Sequence, residues 1–194
     1  MTTRDAQAPA DAQFIGRWSP RAFNGEALSH AHVMTLIEAA RWAPSCFNSQ
    51  PWRFVYATKD SEQWPAMLGL LMDMNQAWAQ HAGALIAVVS RNTFQGNDAP
   101  APTHSFDTGA AWMSMALQAQ SMGLASHAMW GIEHNDIPTA LNLPDNMQIQ
   151  AMVAVGAVGN KADLPEPLQE REQPSSRKAL SELAFAGRMP DGVE

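Results

Sequence analysis

Arg17-Trp18-Ser19-Pro20-Arg21 places two guanidinium groups and a hydroxyl within five residues. A guanidinium meets a phosphate or carboxylate through two parallel hydrogen bonds and never loses its charge in a protein. The segment reads either as an anion-binding turn or as a solvated basic turn. A second segment, Pro44-Ser45-Cys46-Phe47-Asn48-Ser49-Gln50-Pro51-Trp52, offers hydroxyl and carboxamide groups on a loop stiffened by two prolines. Carboxamides both donate and accept, so they can match the alternating edge of a heterocycle such as a pyrimidine ring. The same loop also reads as a helix-to-strand connection that satisfies only its own backbone. Taken singly, neither segment decides.

Other chemistries leave weaker marks. Histidines 30, 32, 81, 104, 127 and 134 are scattered, and His30 and His32 sit two apart near a helix start, where their side chains diverge. No metal site is expected. Neither a Gly-x-Gly-x-x-Gly nor a Gly-x-x-x-x-Gly-Lys-Ser/Thr cradle occurs, and no Gly-x-Ser-x-Gly elbow marks a hydrolase. Cys46 has no His or Cys neighbour that would activate its thiol, so a packing role is expected.

The elements that must carry the two segments alternate between helix and strand. Ser29 is a suitable N-cap for a helix through Trp42, with Val33, Leu36, Ile37 and Ala40 on one face. Pro44 ends it. Phe54 to Ala57 reads as a strand, and 61–81 as helical with a break, Pro65 suiting a first turn. Ala84 to Val89 is an unbroken apolar run, the pattern of a strand buried on both faces. Residues 92–104 carry Gly96, Asn97, Pro100 and Pro102 and read as a loop. From about Ser105 to Met122 the chain is apolar or small almost all round, so this helix must be buried on most faces. Gly123 is its expected C-cap. Strands are expected near 124–129 and 150–158, with a short helix near 136–142 between them. The tail 160–176 reads as extended and residues 1–13 as a loose arm, leaving one domain over 14–194. Local pattern alone fits an α/β or an α+β layered domain.

Composition narrows the function classes. Hydrophobic residues make up 46% of the 194, enough for one core, and a net charge of −7 disfavours nucleic acid. The longest apolar runs fall far short of the roughly 20 residues a membrane helix needs. One cysteine excludes an internal disulfide, and Met1 to Pro9 lack the apolar centre of a signal peptide, so a soluble cytoplasmic protein is expected. Seven Trp and twelve Met suit either broad adaptable surfaces or core filling.

The two polar segments together resemble the nitroreductase family of flavoproteins. That family carries Arg-x-Ser-x-Arg/Lys near the N-terminus and then a helix ending in Pro-Ser-x-x-Asn-x-Gln-Pro-Trp. Both patterns stand here in order, and the likeness runs on through Asn75, the apolar helix after Asp107, the turn Trp130-Gly131 and Arg177-Lys178, covering roughly residues 14–183. The resemblance implies an α+β fold with a small, mostly antiparallel central sheet flanked by helices. It also implies a homodimer with FMN at the subunit interface.

Carried over residue by residue, the resemblance places Arg17, Trp18 and Ser19 at the FMN phosphate and ribityl chain, joined by Arg177 and Lys178. Arg21 matches the cation at the flavin N1/O2 edge, where a fixed positive charge stabilises the reduced ring. Pro44, Ser45, Cys46, Asn48 and Gln50 match a loop reaching the flavin from the other subunit. Asn75 matches a pyrimidine-edge contact. Ala128, Met129, Trp130 and Gly131 match a turn lying against the ring. No side chain need serve as acid or base, because the cofactor carries the chemistry. The chain departs from the family at Trp78, where some members have Lys, and at Trp130, whose bulk narrows the expected pocket. The short excursion after Val89 argues against a large lid.

The implied activity is hydride transfer from NAD(P)H through FMN to a nitroaromatic, quinone or related small acceptor, in ping-pong order. Rival readings are dehalogenation, flavin fragmentation or enoyl reduction, and, from another class, a flavin-binding redox sensor or carrier.

Overall fold

The computed structural model describes residues 4–192. Residues 1–3 of the expected arm and 193–194 of the expected domain lie outside them. The order of elements is α1 (Ala12–Gly16), α2 (His30–Arg41), β1 (Trp52–Thr58), α3 (Trp64–Gly69), α4 (Asp73–Ala79), β2 (Ala84–Arg91), α5 (His104–Ser121), β3 (Ala125–Met129), α6 (Ile137–Ala140), β4 (Met147–Gly156) and α7 (Glu166–Gln169).

The strands form one sheet in the order β1-β2-β4-β3, and each pairing is antiparallel. Tyr56 lies opposite Ile86, Ile86 opposite Val153, and Val153 opposite Ala128, which fixes the register across all four strands. The architecture is α+β, as the resemblance implied.

Alternation along β2 explains why its sequence is apolar without interruption. Leu85, Ala87 and Val89 face one core with Trp64, Leu71, Trp78, Ile132, Ile137 and Met152. Ala84, Ile86 and Val88 face a second core with Val33, Leu36, Ala40, Ala111, Met115 and Ala119. Helices α2 and α5 cover the second face, so successive side chains of β2 find apolar partners on opposite sides. Fully burying a residue such as Leu36 or Ile86 is worth about 1.5–3 kcal/mol, and β2 gains this on both faces.

Helix α2 begins where expected: the Ser29 hydroxyl accepts the His32 N–H at 3.2 Å, and Val33, Leu36 and Ala40 are buried. Helix α5 stops at Ser121 with Met122 as its C-cap, one residue before the expected Gly123, whose φ of +73° is the left-handed conformation that suits glycine just beyond a helix end. The register shifts between Val88 and Val89, and Gln150 on β4 donates from its carboxamide to the Ser90 hydroxyl at 2.9 Å.

Two segments are more structured than the sequence suggests. Residues 160–176 were expected to be extended, but they contain a 3₁₀ turn at Lys161–Asp163 and helix α7. The Asn160 side chain caps the turn by accepting the Ala162 N–H at 3.0 Å, and Pro167 fits the first turn of α7. Helix α1 starts at Ala12, inside the segment read as an arm, where the Asp11 carboxylate accepts the Gln13 N–H at 2.9 Å. Neither helix exceeds five residues, too short for a hydrophobic period to register. No helix among the described residues is long and apolar enough to cross a membrane.

Candidate functional site

The first cluster is a cationic cleft of about 370 Å³ lined by Arg17, Trp18, Ser19, Arg21, Arg171, Gln173, Ser175, Arg177, Arg4 and His127. Arg17 stands at the C-cap of α1, its N–H donating to the Gln13 carbonyl at 3.1 Å, and its guanidinium donates to Ser19 Oγ at 3.2 Å. Arg177 arrives from the C-terminal tail, donating to Ser175 Oγ and to the Ser176 carbonyl, each at 2.9 Å. Among the described residues, none of Arg4, Arg17, Arg171 and Arg177 has a carboxylate ion-pair partner. Burial, then repulsion from Arg177 and Arg4, holds the Arg17 pKa below its ordinary value. Cations brought together without counter-charges make a site for a doubly charged anion.

Arg21 has different company. The Glu172 carboxylate accepts the N–H groups of Arg21 and Ala22 through Oε1, at 2.7 and 2.9 Å, while its Oε2 lies 4.0 Å from the Arg21 guanidinium. The tail is thereby stitched to the segment after Pro20, with Arg21 on the cleft wall. His127, on β3, donates from Nδ1 to the Pro20 carbonyl at 3.0 Å, and its ring lies 4.8 Å from that of Trp78. Burial pushes the His127 pKa down, and the Arg21 charge adds to this against the opposing pull of Glu172. A neutral imidazole with Nδ1 donating leaves Nε2 as an acceptor. Trp78 itself is buried and stacks on Phe23, with centroids 6.2 Å apart, so this departure from the family pattern is absorbed by the core.

A second corner joins the turn after β3 to the start of α4. The Asn75 Nδ2 and the Met72 N–H both donate to the Gly131 carbonyl, at 2.9 and 3.0 Å. A Cβ on Gly131 would lie 2.7 Å from Asn75 Nδ2, so any larger residue there would push the Asn75 carboxamide aside. Met129 is buried in β3, leaving its backbone as what it can offer a ligand, whereas Trp130 is exposed with its ring 4.3 Å from that of His134.

The third cluster is the loop from Pro44 to Gln50. Ser45 Oγ accepts the Gln50 N–H at 3.0 Å, and the Gln50 side chain donates to the Asn48 carbonyl at 3.1 Å. Phe47, Asn48 and Gln50 hold φ of 51°, 55° and 46°, a left-handed conformation costing about 1–2 kcal/mol for each L-residue. The Asp107 carboxylate anchors the strained loop by accepting the Cys46 N–H at 3.1 Å. Phe47 stands out from the surface, 91% exposed, in an edge-to-face pair with Phe94, centroids 6.1 Å apart.

Within one chain, therefore, Arg17, Trp18, Ser19, Arg21 and Arg177 come together, and Asn75 joins Gly131. Pro44, Ser45, Cys46, Asn48 and Gln50 do not line the cleft. Lys178 lines a neighbouring cavity of about 450 Å³ shared with Arg4 and Arg177. Sequence reasoning missed Arg4, Arg171, Gln173, Ser175, His127, Glu172 and Asp107 as site residues. The run Arg171-Glu172-Gln173 is a polar patch that could have signalled the tail's part, and Asp107 is an acid in the first turn of an otherwise apolar helix. Among the described residues, no group of three or more His, Cys, Asp or Glu side chains could hold a metal ion.

Residues 15–157 match the family model described as the Nitroreductase family. An "Uncharacterized 15.4 kDa protein in ask 5'region" of Mycolicibacterium smegmatis is 35% identical over 129 residues, covering 66% of this chain and 84% of that protein. An NADH dehydrogenase of Thermus thermophilus is 27% identical over 171 residues, covering 73% of this chain and 83% of its own. A solved structure described as an oxidoreductase containing FMN is 46% identical and superposes with a TM-score of 0.93, over 98% of this chain and 99% of that one.

Proposed function

This chain belongs to the nitroreductase family, and from that premise we propose that it is an FMN-dependent oxidoreductase working as a homodimer. It takes hydride from NAD(P)H and reduces a small acceptor such as a nitroaromatic or quinone. The observation that carries the reading is the cleft in which Arg17 and Arg177 meet without counter-charges beside Ser19. Such a donor set fits the phosphate of FMN, a dianion with three acceptor oxygens. The FMN-containing relative at 46% identity supports the same choice of cofactor.

Bound FMN would supply the hydride chemistry of a ping-pong exchange between NAD(P)H and the acceptor. The chain's own residues bind and bias. Arg17, Ser19 and Arg177 hold the phosphate. Arg21, kept in place through Glu172, supplies a permanent cation that favours the reduced, negatively charged ring. Asn75, with Nδ2 committed to Gly131, has its carboxamide oxygen left for a ring N–H. The loop Pro44 to Gln50 serves the partner subunit's site, which accounts for a strained loop that lines no cleft of its own chain.

The absorbance spectrum of the purified protein tests the cofactor: oxidised-flavin bands are expected, and their absence after FMN is added sinks the reading. Steady-state oxidation of NADH and NADPH with menadione or nitrofurazone then separates an enzyme from a flavin carrier, which would show the bands without turnover.

A further inference from the structure

Arg4 comes from the N-terminal arm, far in sequence from the segments it joins. Its Nη1 donates to two carbonyls, those of Ile15 and Arg17, both at 2.7 Å. Its Nε donates to the Ser175 carbonyl at 3.1 Å. The same Ser175 carbonyl accepts from Arg177 at 3.3 Å, so one oxygen is shared by cations from opposite ends of the chain. Arg4 thus clips the end of α1, which carries Arg17, to the tail that carries Arg177. Its Nη2 makes no hydrogen bond among the described residues, and Arg4 is part of the cleft wall.

Three guanidinium groups drawn this close repel one another. Burial and the Arg177 charge hold the Arg4 pKa below its ordinary value, consistent with a cation kept in place against repulsion. Backbone carbonyls are what keep it there: three acceptors bind two of its nitrogens in a planar fork that a lysine ammonium cannot reproduce.

We propose that Arg4 is a positioning residue for phosphate recognition, tying the backbone that carries Arg17 to the tail that carries Arg177 so that both cations meet the same phosphomonoester. The inference rests on the reading of the cleft as the FMN phosphate site. It makes the N-terminal arm part of cofactor selection. The ribose of NADPH carries the same group, but Arg4 shares its cleft with Arg17 and Ser19, which assigns it to FMN.

The test is titration of the flavin-free full chain and its Arg4→Ala and Arg4→Lys variants with FMN and with riboflavin, which lacks the phosphate. The wild type is expected to prefer FMN. Both variants should bind FMN about tenfold or more weakly, with riboflavin affinity changed less than about twofold, since losing one charged hydrogen-bonding arrangement shifts affinity on that scale. On FMN-saturated protein, the ratio of KM values for NADPH and NADH should not move. Unchanged FMN affinity in both variants overturns the role, as does an equal loss for FMN and riboflavin, which would make the arm merely structural. A raised KM for NADPH alone overturns it by assigning Arg4 to the other phosphate. Equal FMN and riboflavin affinity in the wild type would instead remove the phosphate reading itself, before any substitution is made.

Discussion

The backbone N–H of Cys46 donates to the carboxylate of Asp107 across 61 positions of sequence, at 3.1 Å. The same oxygen, Oδ2, accepts the Thr103 hydroxyl at 3.1 Å, so one buried acid ties the loop from Pro44 to Gln50 to the start of α5. Asp107→Ala would strand a part-buried N–H and remove a charge-assisted bond, a loss of about 1.5–3 kcal/mol. Urea unfolding of the variant and its parent measures this. An unchanged midpoint would show that the loop holds its left-handed residues without the anchor.

Cys46 sits beside that anchor, yet what the structure uses is its backbone. Among the described residues, its thiol has no hydrogen-bonded cationic or imidazole partner to activate it. Cys46→Ser and Cys46→Ala should retain most of the NAD(P)H–menadione rate, within a few-fold. A rate loss of several hundredfold with FMN still bound would assign the sulfur a chemical role.

Among the described residues, Arg177 makes side-chain bonds only to its neighbours Ser175 and Ser176, and it repels Arg17 and Arg4. Arg177→Gln should therefore leave the flavin-free protein as stable as the parent or slightly more so. Its FMN affinity should fall about 10- to 100-fold, because each charged hydrogen bond is worth roughly 1.5–3 kcal/mol. Denaturation without FMN and quenching of flavin fluorescence on titration read the two effects separately. Lost stability with full FMN affinity would make Arg177 a folding residue.

The contrast between Arg177 and Arg4 shows what the sequence could convey. Arg17, Ser19, Arg21 and Arg177 fall in short motifs, and the cleft gathers all four. Apolar periodicity exposed α2 through Val33, Leu36 and Ala40, while β2 and α5 showed as stretches apolar nearly throughout. Arg4 left no local trace, because its partners Ile15, Arg17 and Ser175 are backbone carbonyls that any residue could present. Glu172 was hidden for the same reason: it accepts N–H groups of Arg21 and Ala22 from about 150 positions away. Helices α1 and α7 depend on single caps and prolines rather than on a repeating face, so no period announced them.

His127 should make stability depend on pH. Its folded pKa lies below the ordinary 6.5, from burial first and the Arg21 charge in addition, against the pull of Pro20 and Glu172. Between the folded and unfolded values the unfolded chain binds the extra proton, so stability rises with pH through that window. The contribution is complete above about 6.5 and is lost as pH falls toward the folded value. Unfolding free energies at pH 7.5 and pH 5.0 should differ more for the wild type than for His127→Gln. An imidazole titration followed by NMR should have its midpoint below 6.5. A midpoint at or above that value would contradict the direction.

The last prediction is an obligate dimer, and two independent features lead to it. On the surface of the single chain, Phe47 is 91% and Phe106 83% exposed, with Trp42, Met74 and Trp130 also open to water. Along α5, Trp112, Met113 and Leu117 are only half-buried, although the helix is apolar nearly all round. So many large apolar side chains open to water on a chain of 194 residues are what a partner surface would cover. The proposed site would also be incomplete in one chain: the carboxamides of Asn48 and Gln50 are held by strained backbone on a loop that lines no part of the cationic cleft. A second copy would bring that loop to the first copy's cleft and complete both sites together. Permanent homodimers bury about 2,000 Å² or more, and folding then couples to association. Sedimentation equilibrium of the FMN-loaded protein at micromolar concentration should give one species at twice the chain mass. A single active species at the mass of one chain, with FMN bound, would refute the dimer and the role of the Pro44 to Gln50 loop at once.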